Sequence, residues 1–223
     1  MNLLEKATCK VEVELKADET EVYFGTGFFI SNNLILTCNH VIENCLGKIK
    51  ISKCHNQNEI VLTAKIIDKC EVCDYALLEL NEEFSNDHFL ELCKSEIIDE
   101  EPIRTFGYPY DGQGQMVGEL LCGNISRFID DSSESVHDTI LEIKGFAEST
   151  NYAAFSGSPV INQYNQVTSI LKYQAIRSLS SVSIKKAINF LDKNNITVKR
   201  DQLHSFENYN AKSFLGFEDR QTE

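Results

Sequence analysis

The chain has 223 residues, enough for one large all-β domain or two small ones, and 42% hydrophobic content with three prolines places it among globular proteins with a substantial core. A net charge of −13 and a pI near 4.8 repel phosphate backbones, so nucleic acid is not an expected partner, and acidity of this size names no substrate. The opening MNLLEKATCKVEVELK carries charges too early for a secretory signal and no run approaches the length of a membrane span, so the expectation is a cytoplasmic chain with no membrane partner.

In chain order, residues 8–16 (TCKVEVELK) alternate apolar and charged side chains, the period of a half-buried strand. After the acidic turn ADET, VYFGTGFFI (22–30) reads as a second strand interrupted by Gly25 and Gly27, where a bulge or a close backbone approach is expected. Asn32-Asn33 makes a tight turn, and LILTCNHVIE (34–43) starts as a buried strand that leads to His40. KIKISK (48–53), IVLTAKIIDK (60–69) and EVCDYALLEL (71–80) continue the series, and strands at such short spacing indicate a barrel or sandwich.

Eight cysteines (Cys9, Cys38, Cys45, Cys54, Cys70, Cys73, Cys93, Cys122) form no regular framework, and in a reducing compartment each defaults to a small buried hydrophobe. Cys70-x-x-Cys73 also fits half of a zinc site with Cys54 and His55, but no second close pair completes a tetrahedral set, so no metal is expected.

The stretch AAFSGSPVIN (153–162) sets Ser156 between an aromatic residue and a glycine, with a proline close behind. Such a sequence turns sharply and exposes the hydroxyl, while the N–H groups of Ala154 and Ser156 can face one hollow suited to an oxyanion. An ordinary loop before a strand reads the same way. Serine needs a general base, and the base needs an orienting group. His40 is the candidate base, against a satisfied structural histidine, and Asp74 the candidate orienting carboxylate, against a turn residue before a strand. The order His, Asp, Ser is that of the barrel peptidases.

With these blocks in view, the chain resembles the trypsin-like, chymotrypsin-fold serine peptidases, in particular the bacterial disulfide-free type similar to the Deg-type protease domain. GTGFFISNNLILTCNHVI matches the block around the base, DYALLEL the aspartate block and AFSGSPVIN the nucleophile block; FGYP (106–109) and GELLCGNIS (118–126) resemble strands that open the second half. The resemblance covers about residues 5–195 and implies an all-β fold of two six-stranded antiparallel β-barrels with a C-terminal α-helix. The peptidase domain is expected over 1–200, with the first barrel at about 5–85, the second at about 103–182 and the helix at about 183–194.

The resemblance further implies that His40, Asp74 and Ser156 are catalytic, that Ala154 and Ser156 form the oxyanion hole, and that Thr150 lines the pocket floor. The substrate-pairing strand is SILKY (169–173), with Ser169, Ile170 and Leu171 as substrate-binding residues. Ala154 stands where the family usually has glycine. A left-handed backbone there costs alanine roughly 1 kcal/mol or more, so a hole closed until a ligand or activator orders it is expected.

Residues 182–194 place Ile184, Ala187, Ile188 and Leu191 at helical spacing with Asn194-Asn195 as the stop, and 201–223 read as a linker. Within it, SFLGFEDRQTE (213–223) resembles the lead-in to the nucleotide-binding core of NLR-like signal-transducing NTPases, or equally an amphipathic tail. That resemblance implies continuation into a covalently linked NTPase and sensor region, with antiviral defence as the setting. No phosphate-binding glycine loop occurs in these 223 residues, so no cofactor is expected. Two hypotheses result: a cytoplasmic serine endopeptidase acting on protein or peptide substrates, and an inactive protease-fold binding or scaffold module.

Overall fold

The computed structural model describes residues 2–15, 22–55, 58–84, 86–94, 100–110, 116–128, 139–144, 152–175 and 178–200. Six strands, β1 (Thr8–Glu14), β2 (Val22–Phe29), β3 (Leu34–Cys38), β4 (Ile49–His55), β5 (Asn58–Cys70) and β6 (Tyr75–Leu80), close into an antiparallel barrel. Their order around it is β1-β2-β3-β6-β5-β4. Closure leaves no free edge, and positions of one face of the alternating strands, among them Val11, Val13, Phe29, Ile35, Ile51, Ala76 and Leu78, are buried inside it, while Phe28 and Leu36 on the other face are buried as well.

After β7 (Glu91–Lys94) come β8 (Pro102–Gly107), β9 (Glu119–Phe128), β10 (Thr139–Ile143), β11 (Pro159–Ile161), β12 (Gln166–Ala175) and β13 (Ser178–Ser183). They run β11-β8-β9-β10-β13-β12, and β11 pairs with β12 to close a second six-stranded barrel. Its own core contains Ile103, Leu121, Leu141, Tyr152, Phe155, Val160 and Leu179. The two-barrel, all-β architecture expected from the sequence is therefore the one found. Outside the second barrel, β7 pairs in parallel with β12, and β14 (Val198–Arg200) pairs in parallel with β7.

The helices are short. A helix α1 (Leu3–Ala7) precedes β1 where the sequence suggested none, and its cap was readable: the Asn2 side chain accepts from Glu5 N–H at 3.0 Å and donates to the Glu5 carboxylate at 3.1 Å. The segment after β3 is also helical, α2 (Asn39–Ile42), so His40 stands in a helical turn rather than at a strand end. The expected C-terminal helix is a 3-10 turn, Ile184–Ala187, capped by the Ser183 hydroxyl, running into α3 (Ile188–Lys193) and stopping at Asn194. Two contacts between the barrels run from side chains of the first to backbone of the second: Tyr75 Oη donates to the Val182 carbonyl at 2.9 Å, and Cys38 Sγ to that of Leu171 at 3.2 Å.

Candidate active site

His40 and Asp74 are brought together by a capping problem. The first N–H groups of a helix lack intrahelical partners, and Cys38, the residue capping α2, provides no side-chain hydrogen bond. Asp74 supplies the acceptors from the β5–β6 hairpin: its carbonyl accepts the Asn39 N–H at 3.0 Å and its Oδ1 the His40 N–H at 2.9 Å. The other oxygen, Oδ2, lies 2.8 Å from His40 Nδ1. Asp74 reaches this position with φ at +57°, a left-handed conformation that aspartate tolerates better than most residues. The same carboxylate thus starts the helix and holds the imidazole.

Burial pushes the Asp74 carboxyl up, but the hydrogen bonds and charge of His40, with the Lys172 ammonium nearby, outweigh it and leave the carboxyl below the ordinary carboxylate range. Asp74 is therefore the anionic partner, and with Nδ1 engaged, Nε2 is the ring nitrogen left for proton transfer.

The nucleophile loop is a 3-10 turn, Tyr152–Phe155, followed by Ser156 and by Gly157 at φ +92°. A Cβ on Gly157 would lie 1.9 Å from the Thr26 carbonyl oxygen and 2.4 Å from Thr37 Oγ1, so only glycine fits against β2 here. Gly25 answers the close approach expected from GTG: a Cβ there would lie 2.6 Å from Val41 of α2 and 3.2 Å from the Ser156 carbonyl oxygen. Thr26 then ties the loop down, its N–H donating to the Ser156 carbonyl at 2.9 Å and its hydroxyl to that of Ala154 at 2.8 Å. β2 of the first barrel thereby holds the Ser156 loop of the second, and its Gly25 also lies against Val41 of the helix that carries His40.

Both reactive groups of Ser156 are committed elsewhere in this state. Its hydroxyl donates to the Lys172 carbonyl at 2.5 Å, so the single hydroxyl proton is not directed at His40. Its N–H donates to the Ala153 carbonyl at 3.3 Å, across the turn, rather than into an oxyanion hollow. Gly157 alone in the described part of this loop adopts a positive φ; Ala154 stays within the 3-10 turn.

Of the proposed substrate-binding residues, Thr150 lies outside the described residues. Ser169, Ile170 and Leu171 are buried between β11 and β13, and the Leu171 carbonyl already accepts from Gly157 N–H and Cys38 Sγ. Cys70 and Cys73 are joined in a disulfide across the turn that precedes Asp74, unlike the unpaired thiols expected; the side chains of Cys54 and His55 lie outside the described residues.

Two neighbours of the site were not singled out from the sequence. Thr26 stood in the quoted GTG block, and Lys172 was the lone charge in the SILKY strand; its Nζ is 3.4 Å from Asp74 Oδ2.

Residues 25–170 match the family model described as trypsin-like peptidase domain. A comparison with curated protein sequences gives no match. Among solved structures, the chain is similar to the active form of the Rv3671c protease from M. tuberculosis (19% identity, TM-score 0.66, covering 87% of this chain and 83% of that one). It is likewise similar to Deg5 (17% identity, TM-score 0.61, 83% and 87% covered) and to the inactive form of Rv3671c (17% identity, TM-score 0.62, 85% and 89% covered).

Proposed function

The chain belongs to the trypsin-like peptidase domain family, whose members are serine-peptidase hydrolases, and from that premise we propose an endopeptidase working through an acyl-enzyme on Ser156. Ser156 Oγ attacks the scissile carbonyl carbon while its proton passes to His40 Nε2. Collapse of the tetrahedral adduct breaks the C–N bond, and the same proton leaves with the amine. Water then repeats the sequence in reverse roles and frees the acid. Asp74 keeps the imidazole oriented and its Nδ1 proton bound. The single observation that carries the reading is the Asp74 carboxylate bridging His40 N–H and Nδ1, with Gly25 of β2 set between Val41 of the same helix and the Ser156 carbonyl.

Before attack, the Ser156 hydroxyl must leave the Lys172 carbonyl and the Ala153 carbonyl must turn out of the hollow. The described arrangement is thus a resting state in this reading, which supports a regulated enzyme. It also favours a second reading, a protease-fold binding module whose hole never opens. A fluorophosphonate probe separates them. Labelling lost in Ser156→Ala supports the peptidase, and no labelling with any activator or of any longer form supports the module.

We further place the domain in the cytoplasm, as the effector of a larger signalling or antiviral protein with an NTPase and a sensor. What supports this is the resemblance of residues 213–223 to an NTPase lead-in, together with a site in need of a trigger. Probe labelling that rises when the NTPase binds nucleotide is the expected outcome; labelling indifferent to nucleotide speaks against it.

A further inference from the structure

We propose that Lys172 is a positioning residue of the site, its ammonium sharing the Asp74 carboxylate with His40 and its carbonyl parking the Ser156 hydroxyl. This rests on the peptidase reading of those three residues. The first observation is a bulge. β12 pairs with β13 as Leu171↔Ser181 and then Tyr173↔Ser180, so Lys172 is the extra residue that the register skips. A bulge bends its strand and re-aims the side chain and carbonyl of the inserted residue, and here both are aimed at the site.

The second observation is where they go. Lys172 Nζ lies 3.4 Å from Asp74 Oδ2, the oxygen that meets His40 Nδ1 at 2.8 Å, and the Lys172 carbonyl accepts from Ser156 Oγ at 2.5 Å. The side chain of Lys172 is 15% exposed and that of Asp74 6%, so this ion pair is screened far less than a surface pair. Among the described residues, the titratable groups facing the Asp74 carboxylate are His40 from α2, Lys172 from β12 and Cys38 from β3. The Cys38 thiol, within 4.8 Å of the His40 and Asp74 donor atoms, is held neutral by a burial that pushes it well above its ordinary range.

The chemistry follows from charge. A carboxylate this buried is kept ionised by the hydrogen bonds of His40 and by counter-charge, and a neutral imidazole contributes the first but not the second. The Lys172 ammonium contributes the counter-charge whatever the protonation of His40. Asp74 therefore remains an acceptor for Nδ1–H to lower pH than it otherwise would, which extends the working range of the site toward acid.

The test is the pH dependence of fluorophosphonate labelling of Ser156 in the wild type, Lys172→Met and Lys172→Arg, with the Asp74 carboxyl followed by carbon NMR in the same proteins. In Lys172→Met the acid limb of the labelling profile and the Asp74 titration midpoint both move up by about one pH unit. Lys172→Arg returns both toward the wild type, and in an Asp74→Asn background Lys172→Met leaves the limb where it was. Should Lys172→Met not fold, Lys172→Gln serves for the same comparison. Coincident Asp74 midpoints in the wild type and the neutral variant overturn the proposal even if no form labels, whereas absence of labelling with a shifted midpoint counts against the peptidase reading and leaves Lys172 in its place.

Discussion

At position 154 the difference between alanine and glycine is one of backbone freedom, and it governs the direction of the Ser156 N–H. Within the 3-10 turn that N–H is consumed by the Ala153 carbonyl, and reversing the turn asks residue 154 for a conformation that costs alanine roughly 1 kcal/mol or more over glycine. Ala154→Gly should therefore label with a fluorophosphonate about fivefold to tenfold faster than the wild type, with Ser156→Ala as the blank. Rates that coincide would mean that the closed turn is set by something other than residue 154. The three candidate catalytic residues were legible because each sits in a block whose neighbours are also constrained: Gly25 by the Ser156 carbonyl, Gly157 by Thr26, and Asp74 by the start of α2. Lys172 was not, because a lysine in a strand usually reaches solvent, and only the bulge between Leu171 and Tyr173 turns it inward.

Among the elements, β5 shows how an irregularity becomes a connection. Its register with β6 slips between Ile66 and Asp68, and the Asp68 carboxylate meets Lys193 Nζ at 2.7 Å and Asn194 Nδ2 at 3.0 Å, pinning the end of α3 to the first barrel. The hydrogen bonds from Lys193 and then Asn194 bring the Asp68 carboxyl down to about 2. A carboxyl lower in the folded than in the unfolded chain adds stability above its unfolded value and loses it as pH falls through the folded one. Asp68→Asn should thus melt below the wild type by a constant margin from pH 5 to 7, and the margin should close between about pH 4 and pH 2. A margin that persists at pH 2 would point to packing rather than charge. Periodicity in 182–194 located this helix, and alternation located β1, but α1 escaped because its signal is a local cap, Asn2 with Glu5, and not a period. The parallel additions β7 and β14 escaped for the opposite reason: their pairing is wholly non-local and no run of neighbouring residues encodes it.

For the whole molecule, the question is what makes two closed barrels behave as one catalytic body. A closed barrel has no edge to offer its neighbour, so the junction depends on single side chains and on loops laid across strands. Thr26 is central to it: fully buried, it accepts from Tyr108 N–H at 3.2 Å, donates to the Ala154 carbonyl, and has its own carbonyl capped by Thr37 Oγ1 at 2.7 Å. Valine has nearly the same shape without the hydroxyl, so Thr26→Val leaves the packing in place and removes the hydrogen bonds that the hydroxyl makes with the Tyr108 N–H and the Ala154 carbonyl. Losing the two costs about 2 kcal/mol, expected as a lower urea midpoint at unchanged slope. The loss should also be local. Amide exchange should quicken in residues 152–158 and around Tyr108 while the β3–β6 ladder of the first barrel keeps its protection, because that ladder makes no use of the hydroxyl. Uniform acceleration across both barrels would instead mean that Thr26 supports the first barrel as a whole, and that the nucleophile loop is held by the backbone bond from Thr26 N–H to the Ser156 carbonyl.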